Sequence, residues 1–119
     1  MTPYLARNAR KAPACAHVAV VYERYIEAIL EGRKTIEARL MQTRREPFGC
    51  VKVGDVLHFR TKGEYRARAV VFKVDEFSGL TPEGVETLRS RFDERVMADA
   101  AFWSGKRGSR FAVMISFTR

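Results

Sequence analysis

Four ionisable side chains crowd the stretch Arg33-Lys34-Thr35-Ile36-Glu37-Ala38-Arg39, which directly follows Gly32. Guanidinium and ammonium groups beside one carboxylate make a set of hydrogen-bond donors with a single strong acceptor. Such a set suits a phosphate, a carboxylate or the polar edge of a base. The cluster needs a rigid mount. Tyr22, Tyr25, Ile26, Ile29 and Leu30 recur at helical spacing and predict a helix over 23–31, which Gly32 would stop. An extended segment over 35–40 would follow. There, alternation puts Lys34, Ile36 and Ala38 on one face and Arg33, Thr35, Glu37 and Arg39 on the other. A glycine after a helix is also an ordinary C-cap, and alternating charges also suit a solvated strand. The residues alone leave both readings open.

The rest of the chain reads as short strands and two helical regions. Val18–Val21 is an apolar run fit for a buried strand. Gly54-Asp55 turns into a strand over Val56–Arg60, and Lys62-Gly63-Glu64 is a hairpin turn into a longer strand over Tyr65–Val74. Thr81 with Pro82 behind it starts a helix as N-cap and first-turn residue, with interruptions to about Phe102. Ser104-Gly105-Lys106-Arg107-Gly108 is a basic turn that, beside Trp103, could form a second wall of a cleft or be only a solvated hairpin. The last strand, Arg110–Phe117, is small or apolar on both faces, which predicts an interior position in its sheet. Asp55 reads as an organiser of its own turn. No internal repeat and no low-complexity segment is present.

The 119 residues suit one domain, and 46% hydrophobic content suffices for a small core. No apolar run reaches the roughly 20 residues that span a bilayer. Twenty-two Lys and Arg against 14 Asp and Glu give a formal charge of +8. An anionic partner is therefore expected, nucleic acid first among them. Basic residues concentrate around the cluster, where Arg44 and Arg45 extend it, and Arg66 and Arg68 would add to it if their strand lay beside it. Tyr25, Phe48, Tyr65 and Trp103 are the aromatics that could stack on bases, or else pack in the core. His17 and His58 are isolated, and Cys15 and Cys50 lack metal-ligand spacing, so neither a metal nor another cofactor is expected. The two cysteines read as reduced thiols of a cytoplasmic protein. Residues 1–16 hold Arg7, Arg10 and Lys11 and no acid, and lack the apolar centre of a secretory signal. They are expected to form a flexible basic arm ahead of a domain over 17–119.

The pattern Gly32-x-Lys34-x-x-Glu37-x-Arg39 after a short amphipathic helix resembles the signature of the ASCH domain. Val53-Gly54-Asp55 leading into a strand, and Val74-Asp75-Glu76-Phe77 before Leu80-Thr81, resemble two further segments of that family in order and spacing. The resemblance runs from about His17 to the C-terminus. It implies an α+β fold, a small PUA-like β-barrel of five to six strands. One early helix and a helical insertion before the last strand would complete it. It also implies a cleft between the first helix, the motif strand and the insertion. That cleft would bind RNA, another single-stranded nucleic acid or a nucleotide-like small molecule. Arg33, Lys34, Thr35, Glu37, Arg39, Arg44 and Arg45 would supply polar contacts, and Tyr25 or Trp103 would stack.

Family members are also hydrolases. One branch deacetylates acetylcytidine with a lysine, a threonine and a glutamate. The lysine corresponds to Lys34, but Glu37 stands where that branch has threonine, and Glu83 or Glu86 are the candidates for the glutamate. Others are ribonucleases, for which Lys34 and Glu37 would be the catalytic pair. Desolvation would depress the Lys34 pKa and suit it to act as a base. A third reading is a protein-interaction module whose basic face meets an acidic partner.

Overall fold

The computed structural model describes residues 14–119. The N-terminal arm foreseen in the sequence lies, up to residue 13, outside the described residues. Eight elements follow in chain order: β1 (Ala16–Val20), α1 (Glu23–Leu30), β2 (Ile36–Met41), β3 (Val56–Thr61), β4 (Glu64–Ser78), α2 (Pro82–Val96), α3 (Ala100–Gly105) and β5 (Phe111–Thr118). The strands form one sheet in the order β1-β3-β4-β5-β2. It is the small α+β fold expected of the sequence, with an early helix and a helical insertion before the last strand, and its five strands form a half-barrel.

The half-barrel shape follows from β4. Its first half pairs with β3 as far as Val70, and its second half pairs with β5 from Val70 to Ser78. Register shifts at Phe59/Arg60 and Val71/Lys73 bend the sheet between them, as bulges do. β4 therefore runs four residues beyond the predicted end at Val74. The apolar β5 is interior, between β4 and β2. The edge strands β1 and β2 are left facing one another across an open seam, which Arg39 Nη2 spans to reach Val20 O at 3.4 Å.

Two cores fix the layers. Against the inner face, Ile26 and Ile29 of α1 pack with Leu57, Phe59, Val71, Val113 and Phe117. On the other face, Ile36, Ala38 and Leu40 of β2 join Ala112 and Met114 under Val85, Leu88, Phe92 and Val96 of α2. The alternating β2 side chains thus serve two layers, as a strand of period two requires. Thr81 caps α2 by accepting from Gly84 N at 3.1 Å, with Pro82 in the first turn. Gly32 follows α1 at φ 79°, the left-handed conformation that ends a helix without a Cβ penalty. Lys62 and Gly63 both have positive φ and close the β3–β4 hairpin in two residues.

The start of β1 is pinned by one carboxylate. Asp55 accepts from Cys15 N at 3.0 Å, Lys52 N at 2.9 Å and His17 Nε2 at 2.8 Å. The turn-organising role read from the sequence is present, and the same side chain also holds a strand about forty residues away. β1 accordingly begins at Ala16, before the apolar run. Cys15 and Cys50 are both free thiols. Among the described residues no helix is long and apolar enough to cross a membrane.

Candidate functional site: a cleft at the open seam

The backbone explains why the seam stays open. In the antiparallel β2–β5 pair the odd residues face the partner strand: Phe117 N donates to Thr35 O and Arg110 N donates to Met41 O. The even residues Ile36, Ala38 and Leu40 therefore turn their backbone groups to the open edge. Two lysines take up two of those carbonyls. Lys34 Nζ donates to Ile36 O at 2.8 Å, and Lys106 Nζ to Leu40 O at 3.4 Å. Ala38, between them, lines a cleft of about 1080 Å³.

Lys34 is the buried centre. It is 3% exposed. Besides Ile36 O it reaches Val96 O at 2.8 Å and Glu37 Oε1 at 3.4 Å. Val96 O is one of the last carbonyls of α2, which have no partner within the helix, so a cation there also meets the negative end of the helix dipole. Thr35 N caps the neighbouring carbonyl, Arg95 O, at 3.0 Å. The Lys34 pKa is lowered, chiefly by burial, with Glu37 opposing the shift. All three ammonium protons have acceptors within the protein. Glu37 Oε2 meets Arg39 Nη2 at 2.5 Å. Each Glu37 oxygen thus has one cationic partner and keeps a lone pair. Arg39 is 38% exposed along its side chain, and its Nε and Nη1 have no partner among the described residues.

The walls come from four elements. α1 supplies Arg24 and Tyr25, the 45–47 loop supplies Arg45 and Glu46, the α2–α3 connection supplies Asp99, and α3 with its cap supplies Phe102 and Lys106. Arg24 crosses to Asp99 at 3.0 Å and lies about 5.0 Å from the Tyr22 and 4.9 Å from the Tyr25 ring centroids. Hydrogen bonding to Tyr25 leads the raising of its pKa. Arg24, Lys34, Arg39, Arg45 and Lys106 outnumber Glu37, Glu46 and Asp99 around the cleft.

The ASCH domain sequence profile matches residues 20–103, well over half the chain. This protein belongs to the ASCH domain family. The family is associated with RNA binding. The ASCH protein of Zymomonas mobilis has a similar fold, with a TM-score of 0.67 at 18% identity over 87% of this chain and 67% of that one. A Tyr-to-Phe variant of it gives the same score and identity, with 69% of that chain covered. A hypothetical protein, PH0355, matches with a TM-score of 0.55 at 22% identity, over 87% of this chain and 97% of that one. At these identities the likeness concerns the fold. A comparison with curated proteins finds no match.

Within this ASCH domain the signature residues part company in their roles. Lys34, Glu37, Arg39, Arg45 and Tyr25 line the cleft together. Alternation had put Lys34 and Glu37 on opposite faces. The strand begins only at Ile36, so Lys34 lies before the pleat and its long side chain runs to the Glu37 side. Trp103 does not stack on anything in the cleft: it is 0% exposed, and its Nε1 donates to Asp93 Oδ1 at 2.9 Å. Its neighbour Phe102 faces the cleft instead. Arg33 lies outside the cleft, paired with Glu31 and near Met97. Thr35 contributes backbone bonds, and Arg44 lies over Phe48, 5.0 Å from the ring centroid.

Arg66 and Arg68 do not join the cluster, because β4 pairs with β3 and β5 and Arg66 binds Glu23 at 2.8 Å. Glu83 and Glu86 are not cleft residues either, and Glu86 meets Arg107. Sequence reasoning missed Arg24 and Asp99, whereas Lys106, in the basic turn read as a possible cleft wall, does line the cleft. Asp99 carried one available signal, as the N-cap of α3 that accepts from Phe102 N.

Proposed function

We propose that the cleft binds single-stranded RNA or a nucleotide-like ligand. The observation that carries the reading is the Lys34–Glu37–Arg39 row at the floor of a cleft with a cationic rim. Glu37, held by cations at both oxygens, accepts from a base amino group. Arg39 offers its Nε and Nη1 donors to phosphate or a base edge, and Arg45 and Lys106 add phosphate contacts. Tyr25 and the Arg24 plane form the stacking wall. Lys34 acts behind them: its ammonium is committed to Val96 O, Ile36 O and Glu37, and it fixes the acid that faces the ligand.

The same commitment weighs against Lys34 as a hydrolytic base or nucleophile, which needs a lone pair facing the substrate. The family association with RNA supports the binding reading. The test is fluorescence anisotropy with labelled single-stranded RNA at two salt concentrations, followed by inspection of the RNA for cleavage. Salt-sensitive binding of intact RNA is expected, and Arg39→Gln should weaken it and flatten its salt dependence by about one phosphate contact. Affinity indifferent to salt, or RNA cleaved by the wild type and left intact by Lys34→Met assayed at a temperature where that variant is folded, would replace this reading with a hydrolase or protein-binding one.

A further inference from the structure

α2 and α3 cover the outer sheet face only over β2, β5 and the end of β4. Over β1, β3 and the first half of β4 no described element packs on that face. Registers place His58 opposite Arg68, Arg60 opposite Tyr65, and Val56 opposite Val70. Partners in register share a face, and their neighbours Phe59, Ala69 and Val71 are in the inner core. Tyr65 is 62% exposed, and Phe72, the unpaired residue of the bulge between Val71 and Lys73 at the border of this face, 54%. Both exceed what a solvated strand requires of an aromatic. The Tyr65 ring is held in place: His58 meets it edge-on at 5.9 Å, and the Arg60 guanidinium lies 5.6 Å from its centroid. The side chains that share this face from β1, β3 and β4 as far as Val70 include no carboxylate, and Asp75, further along β4, lies opposite Met114 of the helix-covered core.

We infer that this face of β1, β3 and β4 is a second surface for single-stranded nucleic acid, with Tyr65 and Phe72 stacking on bases and Arg60 and Arg68 meeting phosphates. Every base has a flat face, so exposed rings among cations bind strands with little regard to sequence. Charge selects this occupant over a second copy of the chain. Two such faces brought together would set Arg60 and Arg68 against their like. The surface also meets the cleft. Val20, 65% exposed on β1, pairs with Arg60 and lines the cleft as well, so one strand can run from one site to the other. The inference stands on the exposed rings and does not require the cleft to bind RNA.

The experiment uses anisotropy of labelled oligouridylates and oligothymidylates of about four and about twelve nucleotides, lengths that bracket one small-domain site. The double variant Tyr65→Ser/Phe72→Ser should bind the longer strands about tenfold or more weakly. Its melting temperature should match the wild type, since both rings are exposed. Equal losses on RNA and DNA identify a stacking and backbone surface. A loss on RNA alone identifies RNA as the occupant. Unchanged long-strand affinity in the folded double variant overturns the inference and leaves the cleft reading untouched. A wild-type dimer that the double variant dissociates also overturns it, assigning the face to protein contact. If Arg39→Gln binds both lengths like the wild type while the double variant loses the long strand, the inference holds and the cleft reading falls.

Discussion

Replacing Lys34 with methionine removes a buried cation without leaving a void of any size. Three acceptors lose their donor at once: Ile36 O, Val96 O and Glu37 Oε1. Glu37, with a side chain only 8% exposed, keeps Arg39 alone. Breaking a buried ion pair by removing one member costs about 3–5 kcal/mol. A domain of this length loses about 4 °C of melting temperature per kcal/mol, so a fall of roughly 12–20 °C is expected. Lys34→Met/Glu37→Gln should lose less than the two single losses added, because the second change removes the stranded charge. The two carbonyls remain unmet in both variants, so recovery stays partial.

A pH series adds an independent reading. Burial lowers the Lys34 pKa below its ordinary 10.5. Between the lowered value and 10.5 the unfolded chain holds more protons than the folded one, so this group adds stability as pH rises through that window. The contribution is complete above 10.5 and lost as pH falls through the folded value. Lys34→Met removes that slope. Thermal melts from neutral to alkaline pH measure both effects. A melting temperature within about 3 °C of wild type, with additive single and double variants, would refute the reasoning.

Trp103→Ala should cost about 3–5 kcal/mol by emptying a core site, and Trp103→Phe less, though it still strands Asp93 Oδ1. Both should act through chemical denaturation midpoints. A loss of ligand affinity with stability unchanged would restore Trp103 as a cleft residue. Asp55 is desolvated, which would raise its pKa, but hydrogen bonds from His17, Lys52 N and Cys15 N outweigh this and lower it below 3.8. Its stabilisation is complete above 3.8 and lost as pH falls through the folded value, so Asp55→Asn should destabilise by about 1–3 kcal/mol at neutral pH. Urea titrations at neutral and acidic pH check this: the gap between variant and wild type should shrink in acid, and a constant gap would count against the assigned bonds.

The fold was legible where local chemistry decides it. Thr81-Pro82, the Lys62-Gly63 turn and the Gly32 stop each name their own backbone conformation, and the double-sided apolarity of β5 placed it inside the sheet. The site was legible as a cluster and less so as a geometry. Whether Lys34 joins Glu37 depends on where pleating begins, and that is set by Thr35 bonding to the end of a helix some sixty residues later. Trp103 and Phe102 look equally able to face a ligand. Asp93, ten residues earlier, decides between them by accepting the indole N–H. Lys106 reads equally as part of a cleft wall or of a solvated turn until β2 is seen to leave Leu40 O open beside it. Tertiary partners of this kind leave no periodic trace in the chain.

The two lysines on the β2 edge have one more consequence. An unpaired strand edge invites another chain to add itself, and the row of backbone groups at Ile36, Ala38 and Leu40 is such an edge. With Ile36 O and Leu40 O already occupied by Lys34 and Lys106, an incoming strand would find Ala38 alone with free groups and one positive charge on each side of it. The open seam is thereby closed to polymerisation. Changes that neutralise both lysines should make the protein prone to assemble into strand-linked chains.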